Sequence, residues 1–93
     1  MNIQFLWDES KRTKNIMQHG LDFMDARAVF EGRTVTLDDE RFDYDEQRLM
    51  TLGYLGAMPV SIVHTESDEQ IRVISFRKAT RNEEVLFYEI LEG

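Results

Sequence analysis

Arg72, Arg77, Lys78 and Arg81 fall within residues 71–81, a stretch that holds no acid in a chain that is otherwise strongly acidic. The segment Ile71-Arg-Val-Ile-Ser-Phe-Arg-Lys-Ala-Thr80 reads as a buried β-strand, and Glu83 follows it. Cations on a rigid strand beside a helix start suit a phosphate-binding or phosphodiester-cleaving site. Guanidinium groups fork onto phosphate oxygens, and a strand holds them in place. The same pattern also guards a strand edge against aggregation, so charge alone leaves both readings open. Arg72 and Arg77 are five residues apart, which puts them on opposite faces of a regular strand; only a bulge lets them share a site. Arg77 with Lys78 or Arg81, where the chain turns into a helix, is therefore the expected pair.

RNA supplies its own nucleophile, the 2′-hydroxyl, so a protein that cleaves it needs to add only a base, an acid and cations around the phosphate. His19 and His64 are suitable acid–base types because imidazole titrates near neutrality. Each reads equally as a capping or structural residue, and His64 closes an apolar strand where it can be hydrogen-bonded and silent. Glu83 is first a capping residue. The two histidines lack partners at zinc-ligand spacing. The acids between residues 21 and 47 show no glycine-bearing calcium loop. No dinucleotide fingerprint, phosphate loop or nucleophile elbow is present, so neither a metal nor a cofactor is expected.

Ninety-three residues with 42% hydrophobic content support one small domain, 1–93. There is no cysteine, which removes disulfides and thiolate ligation and leans towards a reducing, cytoplasmic setting. Neither a signal peptide nor a membrane span is apparent, so no membrane association is expected. The net charge of −7 argues against nucleic-acid binding through the whole surface. Its distribution says more. Residues 21–47 carry nine acids against Arg27, Arg33 and Arg41, and residues 82–93 carry four acids and no cation. A basic strand thus lies between acidic blocks, and those blocks suit a basic partner protein.

The elements that must position these residues can be read from periodicity. Ile3, Phe5 and Trp7 alternate as one side of a short strand. Asp8 caps a mostly polar helix to about Gln18, anchored only by Ile16 and Met17, with Gly20 ending it. Asp22 caps a second helix whose Phe23, Ala26, Val29 and Phe30 form a core stripe. Thr34–Leu37 reads as a strand, and Asp38–Glu46 as an acidic loop with Phe42 and Tyr44 as pins. A meander follows over Leu49–Leu55, Val60–Thr65 and Ile71–Arg77. Thr80-x-x-Glu83 is a capping box for a last helix whose Val85, Leu86, Ile90 and Leu91 would dock on the sheet. The order β-α-α-β-β-β-β-α predicts an α+β fold, a small antiparallel sheet with helices on one face.

Taken in order along the chain, these residues resemble the BrnT family, ribonuclease toxins of type II toxin–antitoxin systems. The resemblance rests on Phe5-x-Trp7-Asp8-x-x-Lys11-x-x-x-Asn15-x-x-x-His19-Gly20-Leu21-x-Phe23-x-x-Ala26. It continues through Glu46-x-Arg48, Gly53 and His64-Thr65, and closes with Ile71-Arg72-x-Ile74-Ser75-x-Arg77-Lys78-Ala79-Thr80-x-x-Glu83. It implies a RelE-like fold, metal-independent RNA cleavage and neutralisation by a BrnA-type antitoxin. Such an antitoxin carries a ribbon-helix-helix region, so DNA would be met only indirectly, through the antitoxin. On this reading Arg48, Arg72 and Arg77 or Lys78 stabilise phosphate, and His19, His64, Glu83 or Tyr88 moves protons. Lys11 and Arg81 would bind RNA. The chain departs from the family at Gln18, Met58 and Glu84, where basic residues are common, and at Phe87-Tyr88, where the family tyrosine is shifted or replaced. The lost charge makes a catalytically weak homologue, an antitoxin-binding module in transcriptional control, the competing expectation.

Overall fold

Asp8 accepts hydrogen bonds from the Ser10 and Lys11 amides, and this starts the first helix where the sequence places it. The computed structural model describes residues 2–39 and 47–93. Strand β1 spans Gln4–Leu6 and helix α1 Glu9–His19, which ends on Gly20 in the left-handed region at φ 73°. A 3₁₀ turn, Phe23–Asp25, leads into the short α2, Ala26–Phe30. Strands β2 (Val35–Asp38), β3 (Leu49–Leu55), β4 (Met58–Ser67) and β5 (Gln70–Lys78) follow, then α3, Arg81–Glu92. The strands form one sheet in the order β1-β5-β4-β3-β2. Strands β2 to β5 form a meander, each pairing antiparallel with its sequence neighbour.

Two expectations are corrected. The sheet is mixed, because β1 pairs parallel with β5 at its far edge. The helices lie on both faces rather than one. A Cβ on Gly53 would come within 2.8 Å of Val29 in α2, so that residue of β3 faces α2. Its neighbour Tyr54 stacks on Phe87 of α3, ring centroids 5.4 Å apart. Successive strand residues point to opposite faces, so α2 and α3 cover opposite sides. The larger core lies on the α2 side, where Phe23, Ala26 and Val29 meet Val60, Ile62, Val73 and Phe76, all of them buried. Phe5 and Trp7 pack against it as the alternation requires.

The anchoring of α1 also differs from expectation. Ile16 and Met17 are exposed, and the helix is held by a buried asparagine instead. β1 pairs with β5 only as far as Arg72, which leaves the Phe76 backbone without a strand partner on that edge. The Asn15 amide takes the place of a strand there. Its Nδ2 donates to the Phe76 and Leu21 carbonyls, and its Oδ1 accepts from the Phe76 amide at 3.1 Å. Arg12 adds a fork to Asp22 at 2.8 and 2.9 Å. Asn15→Ala is expected to cost about 2 kcal/mol by urea unfolding, from three hydrogen bonds worth ~0.5–1.5 kcal/mol each. A loss below about 0.5 kcal/mol would mean that water replaces the amide fully.

In α3, Val85, Leu86 and Ile90 are exposed, against the expectation that they dock. Phe87 is the buried residue of this helix. The rotation of the helix is fixed by Glu83, four residues before Phe87, which is clamped to β5. Asp39 and Arg48 extend the β2–β3 ladder through an amide–carbonyl bond of 2.9 Å. Phe42, Tyr44 and most of the acidic loop lie outside the described residues. Among the described residues no helix is long and apolar enough to cross a membrane.

Candidate RNA-binding face and active site

The pairing of β4 with β5 shifts by one residue between Val63 and His64. Val63 pairs with Ser75 and His64 with Val73, so Ile74 is an extra residue in β5, a β-bulge. The bulge decides the site. Arg72 pairs with Thr65, Ser75 with Val63 and Arg77 with Ser61. Thr65, Val63 and Ser61 alternate along an uninterrupted β4 and therefore share a face. Arg72, Ser75 and Arg77 consequently point to one side, the α3 side, although they are five apart in sequence. Four residues of β4 separate the two arginines, roughly 13 Å. The expected Arg77–Lys78 pairing is corrected by the same register: Lys78 pairs with Val60 and points to the opposite face.

Arg77 and Glu83 form a fork, Nη1 to Oε1 at 2.8 Å and Nη2 to Oε2 at 2.9 Å, with both side chains largely buried. Glu83 closes the capping box as well, accepting from the Thr80 amide at 2.9 Å while its own amide donates to the Thr80 hydroxyl. Burial pushes the Glu83 carboxyl up, but the hydrogen bonds from Arg77 and Thr80 outweigh it and hold the group below its usual range. Glu83 is thus an ionised, fully engaged carboxylate. Arg81 begins α3 and is exposed beside this clamp.

His64 lies on the other face. It pairs with Leu49 and Val73, is fully buried, and meets the ring of Phe30 edge-on at 5.1 Å. Its Nε2 bonds the Thr51 hydroxyl at 2.7 Å, and Thr51 bonds Thr36 at 2.8 Å. Desolvation lowers its pKa to about 4, against a smaller opposing effect from the Thr65 backbone. The sheet separates it from Arg72 and Arg77.

The remaining residues expected at the site are dispersed. His19 ends α1 and Lys11 sits in its first turn, both exposed. Arg48 is half-buried at the entrance to β3. Tyr88 lies two turns along α3 from Arg81, in a groove with Arg33, Tyr54 and Leu91. Of the three departures that remove a basic residue, Gln18 is exposed, Met58 packs against the core cluster, and Glu84 sits in the first turn of α3. Ser75 was not singled out in the sequence, since its position between the two arginines depends on the bulge. Beyond Arg72 the sheet ends in a cleft of about 320 Å³ lined by Leu6, Gln47, Leu49, Thr65, Glu66, Ser67 and Gln70.

Two arginines, a hydroxyl between them and a helix start at one end are groups of the kind that can hold a phosphodiester and stabilise charge on it. No curated protein sequence matches the chain. The crystal structure of the Brucella abortus ribonuclease toxin, BrnT, is similar with a TM-score of 0.62 at 30% identity, covering 86% of this chain and 100% of that one. Residues 7–83 match the family model described as the ribonuclease toxin BrnT of type II toxin–antitoxin systems. The chain therefore belongs to the BrnT family of ribonuclease toxins.

Proposed function

We propose that this protein is a metal-independent endoribonuclease toxin whose site is the α3-side face of the sheet, with Arg72 and Arg77 on the phosphates flanking the cleaved bond. The bulge at Ile74 is the observation that carries this reading, because it is what turns both arginines and Ser75 to one side. The 2′-hydroxyl of RNA gives up its proton and attacks its own phosphate, and the bond to the 5′-oxygen of the next nucleotide breaks as that oxygen takes a proton. The two guanidinium groups offset the negative charge of the strand on either side of the reacting phosphate. Lys11, Arg48 and Arg81 add positive charge for binding, with His19 or Tyr88 as proton carriers, while Lys78 is left out of this face by its register. The location of His64 removes it from this set, and Glu83 serves by holding Arg77 rather than by moving protons. The partner is an antitoxin of BrnA type, and the acids of residues 21–47 suit a basic docking segment. Any contact with DNA is made by the antitoxin, in the cytoplasm.

Arg72 gives the clean test, because its side chain is exposed and forms no ion pair among the described residues. Inducing the unaltered chain without antitoxin is expected to arrest growth with loss of total RNA. Arg72→Ala is expected to unfold within about 0.5 kcal/mol of the parent and to relieve the arrest. Arrest of equal strength in that variant would reject this face as the site.

A second reading is favoured by the Arg77–Glu83 fork itself. The Nη1–Nη2 edge that would grip a phosphate end-on is already filled by a carboxylate. A chain that keeps this fork closed would be a weak toxin, acting as the antitoxin-binding half of a self-repressing complex. Harmless expression of the folded protein supports that alternative.

A further inference from the structure

We infer that the outward side of α3, with the groove between Tyr54 and Tyr88 beside it, seats a basic amphipathic segment of the partner protein. This rests on the toxin reading above for the existence of a partner and deepens it by naming where that partner binds. Phe87 is the buried residue of α3, and the helix leaves four other large apolar side chains in solvent. Leu86 and Ile90, 38% and 46% exposed, lie one turn apart on one flank of Phe87. Val85 and Glu89 form the row next to them, and Tyr88 stands on the opposite flank. A contiguous apolar row exposed on a short helix marks a contact surface. On the Tyr88 flank the helix borders a groove of about 310 Å³ lined by Gly32, Arg33, Tyr54 and Leu91, with room for an anchoring side chain. Tyr54 and Tyr88, both exposed, offer rings for contact and hydroxyls for hydrogen bonds, a combination that protein interfaces favour.

Charge selects the occupant. Residues 82–93 carry four acids and no cation. Arg77 answers Glu83, and Arg33 comes only within 3.9 Å of Glu92, with both side chains in solvent, a pair of little worth. Glu84 and Glu89 form no ion pair among the described residues. Glu89 and Glu92 also stand in the last turn of α3, at the negative end of the helix dipole, with no basic residue to offset them. Cations from a partner relieve that repulsion. RNA and an anionic membrane meet it with the wrong sign. A second copy docked about a two-fold axis sets the acids of α3 against each other. The other acidic block attracts the same partner but anchors it poorly: among the described residues of 21–39 it exposes one large apolar side chain, Met24. A helix with leucine-like side chains on one face and lysine or arginine along its borders fits α3 on both counts. Its apolar side seats on Leu86, Ile90 and the tyrosine groove, and its cations meet Glu84, Glu89 and Glu92.

The test uses the full chain, labelled with ¹⁵N and titrated with three synthetic peptides of one amphipathic pattern: leucine with lysine, leucine with glutamate, and serine with lysine. The leucine–lysine peptide is expected to bind ~10-fold more tightly than either of the others, to shift the amides of Tyr54 and residues 84–92, and to weaken with added salt. Leu86→Gln/Ile90→Gln removes the apolar row and Glu89→Lys reverses a charge. All three positions are exposed, so the fold is kept, and each variant should weaken that peptide by ~10-fold. Equal binding of the serine–lysine peptide would show charge attraction alone, and shifts confined to Asp22, Asp25 and Glu31 would place the contact on the other acidic block; either result overturns the inference. Oligouridine shifting the same α3 amides, or a dimer abolished by Leu86→Gln/Ile90→Gln, would assign the surface to RNA or to a second copy and overturn it equally. Growth arrest separates the two readings. Peptide docking on α3 of a chain that arrests no growth would leave the surface standing and remove the active toxin, whereas arrest by a chain that docks no peptide would remove the surface alone.

Discussion

Arg77→Ala is expected to abolish toxicity and to lower the melting temperature by roughly 10–20 °C, more than loss of an exposed cation would. The second half of that statement follows from Glu83. Removing Arg77 leaves a largely buried, ionised carboxylate without the partner that holds its pKa down. A charged group so stranded costs about 2–3 kcal/mol, and in a domain of this size each kcal/mol shifts the midpoint by roughly 4–8 °C. Loss of toxicity in this variant alone would therefore be ambiguous. The double variant Arg77→Met/Glu83→Gln resolves it. Glutamine keeps the capping box on Thr80, and methionine fills the space of the arginine stem without leaving a buried charge. The pair is expected to recover at least half of the lost stability while toxicity stays absent. A double variant that is stable and fully toxic would show that Arg77 only fastens α3 to the sheet.

The contrast between these two roles marks how much the sequence disclosed. Caps and periodicities were legible because they are local: Asp8, Gly20, Asp22 and the Thr80–Glu83 box act within one turn of themselves. The meander was legible because short turns leave antiparallel neighbours as the simplest arrangement. What the sequence hid depends on partners far away in the chain. The Ile74 bulge is a mismatch between two strands, and without it the parity rule sets Arg72 and Arg77 on opposite faces. Periodicity alone offered α3 two apolar sides. The one chosen is the side below Glu83, because Arg77 reaches across from β5 to hold it. The parallel β1 follows from α1, whose Asn15 side chain takes over the β5 edge where β1 stops. His64 shows the same limit: an imidazole suited to catalysis by type became a core residue by register.

His64 gives the other large effect, a loss of about 3 kcal/mol of stability as the pH falls from 7 to 4. In the unfolded chain its imidazole takes up a proton near pH 6.5; in the folded protein burial holds that off until about pH 4. Between those values the unfolded state binds the extra proton, so folding weakens by about 1.4 kcal/mol for each unit of acidification. The contribution is complete above pH 6.5 and gone by pH 4. Carboxylates held low in the folded state, Asp22 at about 2 through Arg12 and Glu83 through Arg77, act in the same direction but only as the pH drops below their ordinary range. Urea unfolding at pH 7, 5.5 and 4.5 separates the two windows. His64→Leu should flatten the curve between pH 6.5 and 4.5 and leave the acid limb in place, since Thr51 retains the Thr36 hydroxyl as a partner. An unchanged slope in that variant would place the titrating group elsewhere. Toxicity in His64→Leu at neutral pH is expected to stay close to that of the parent, because the sheet lies between this side chain and the two arginines.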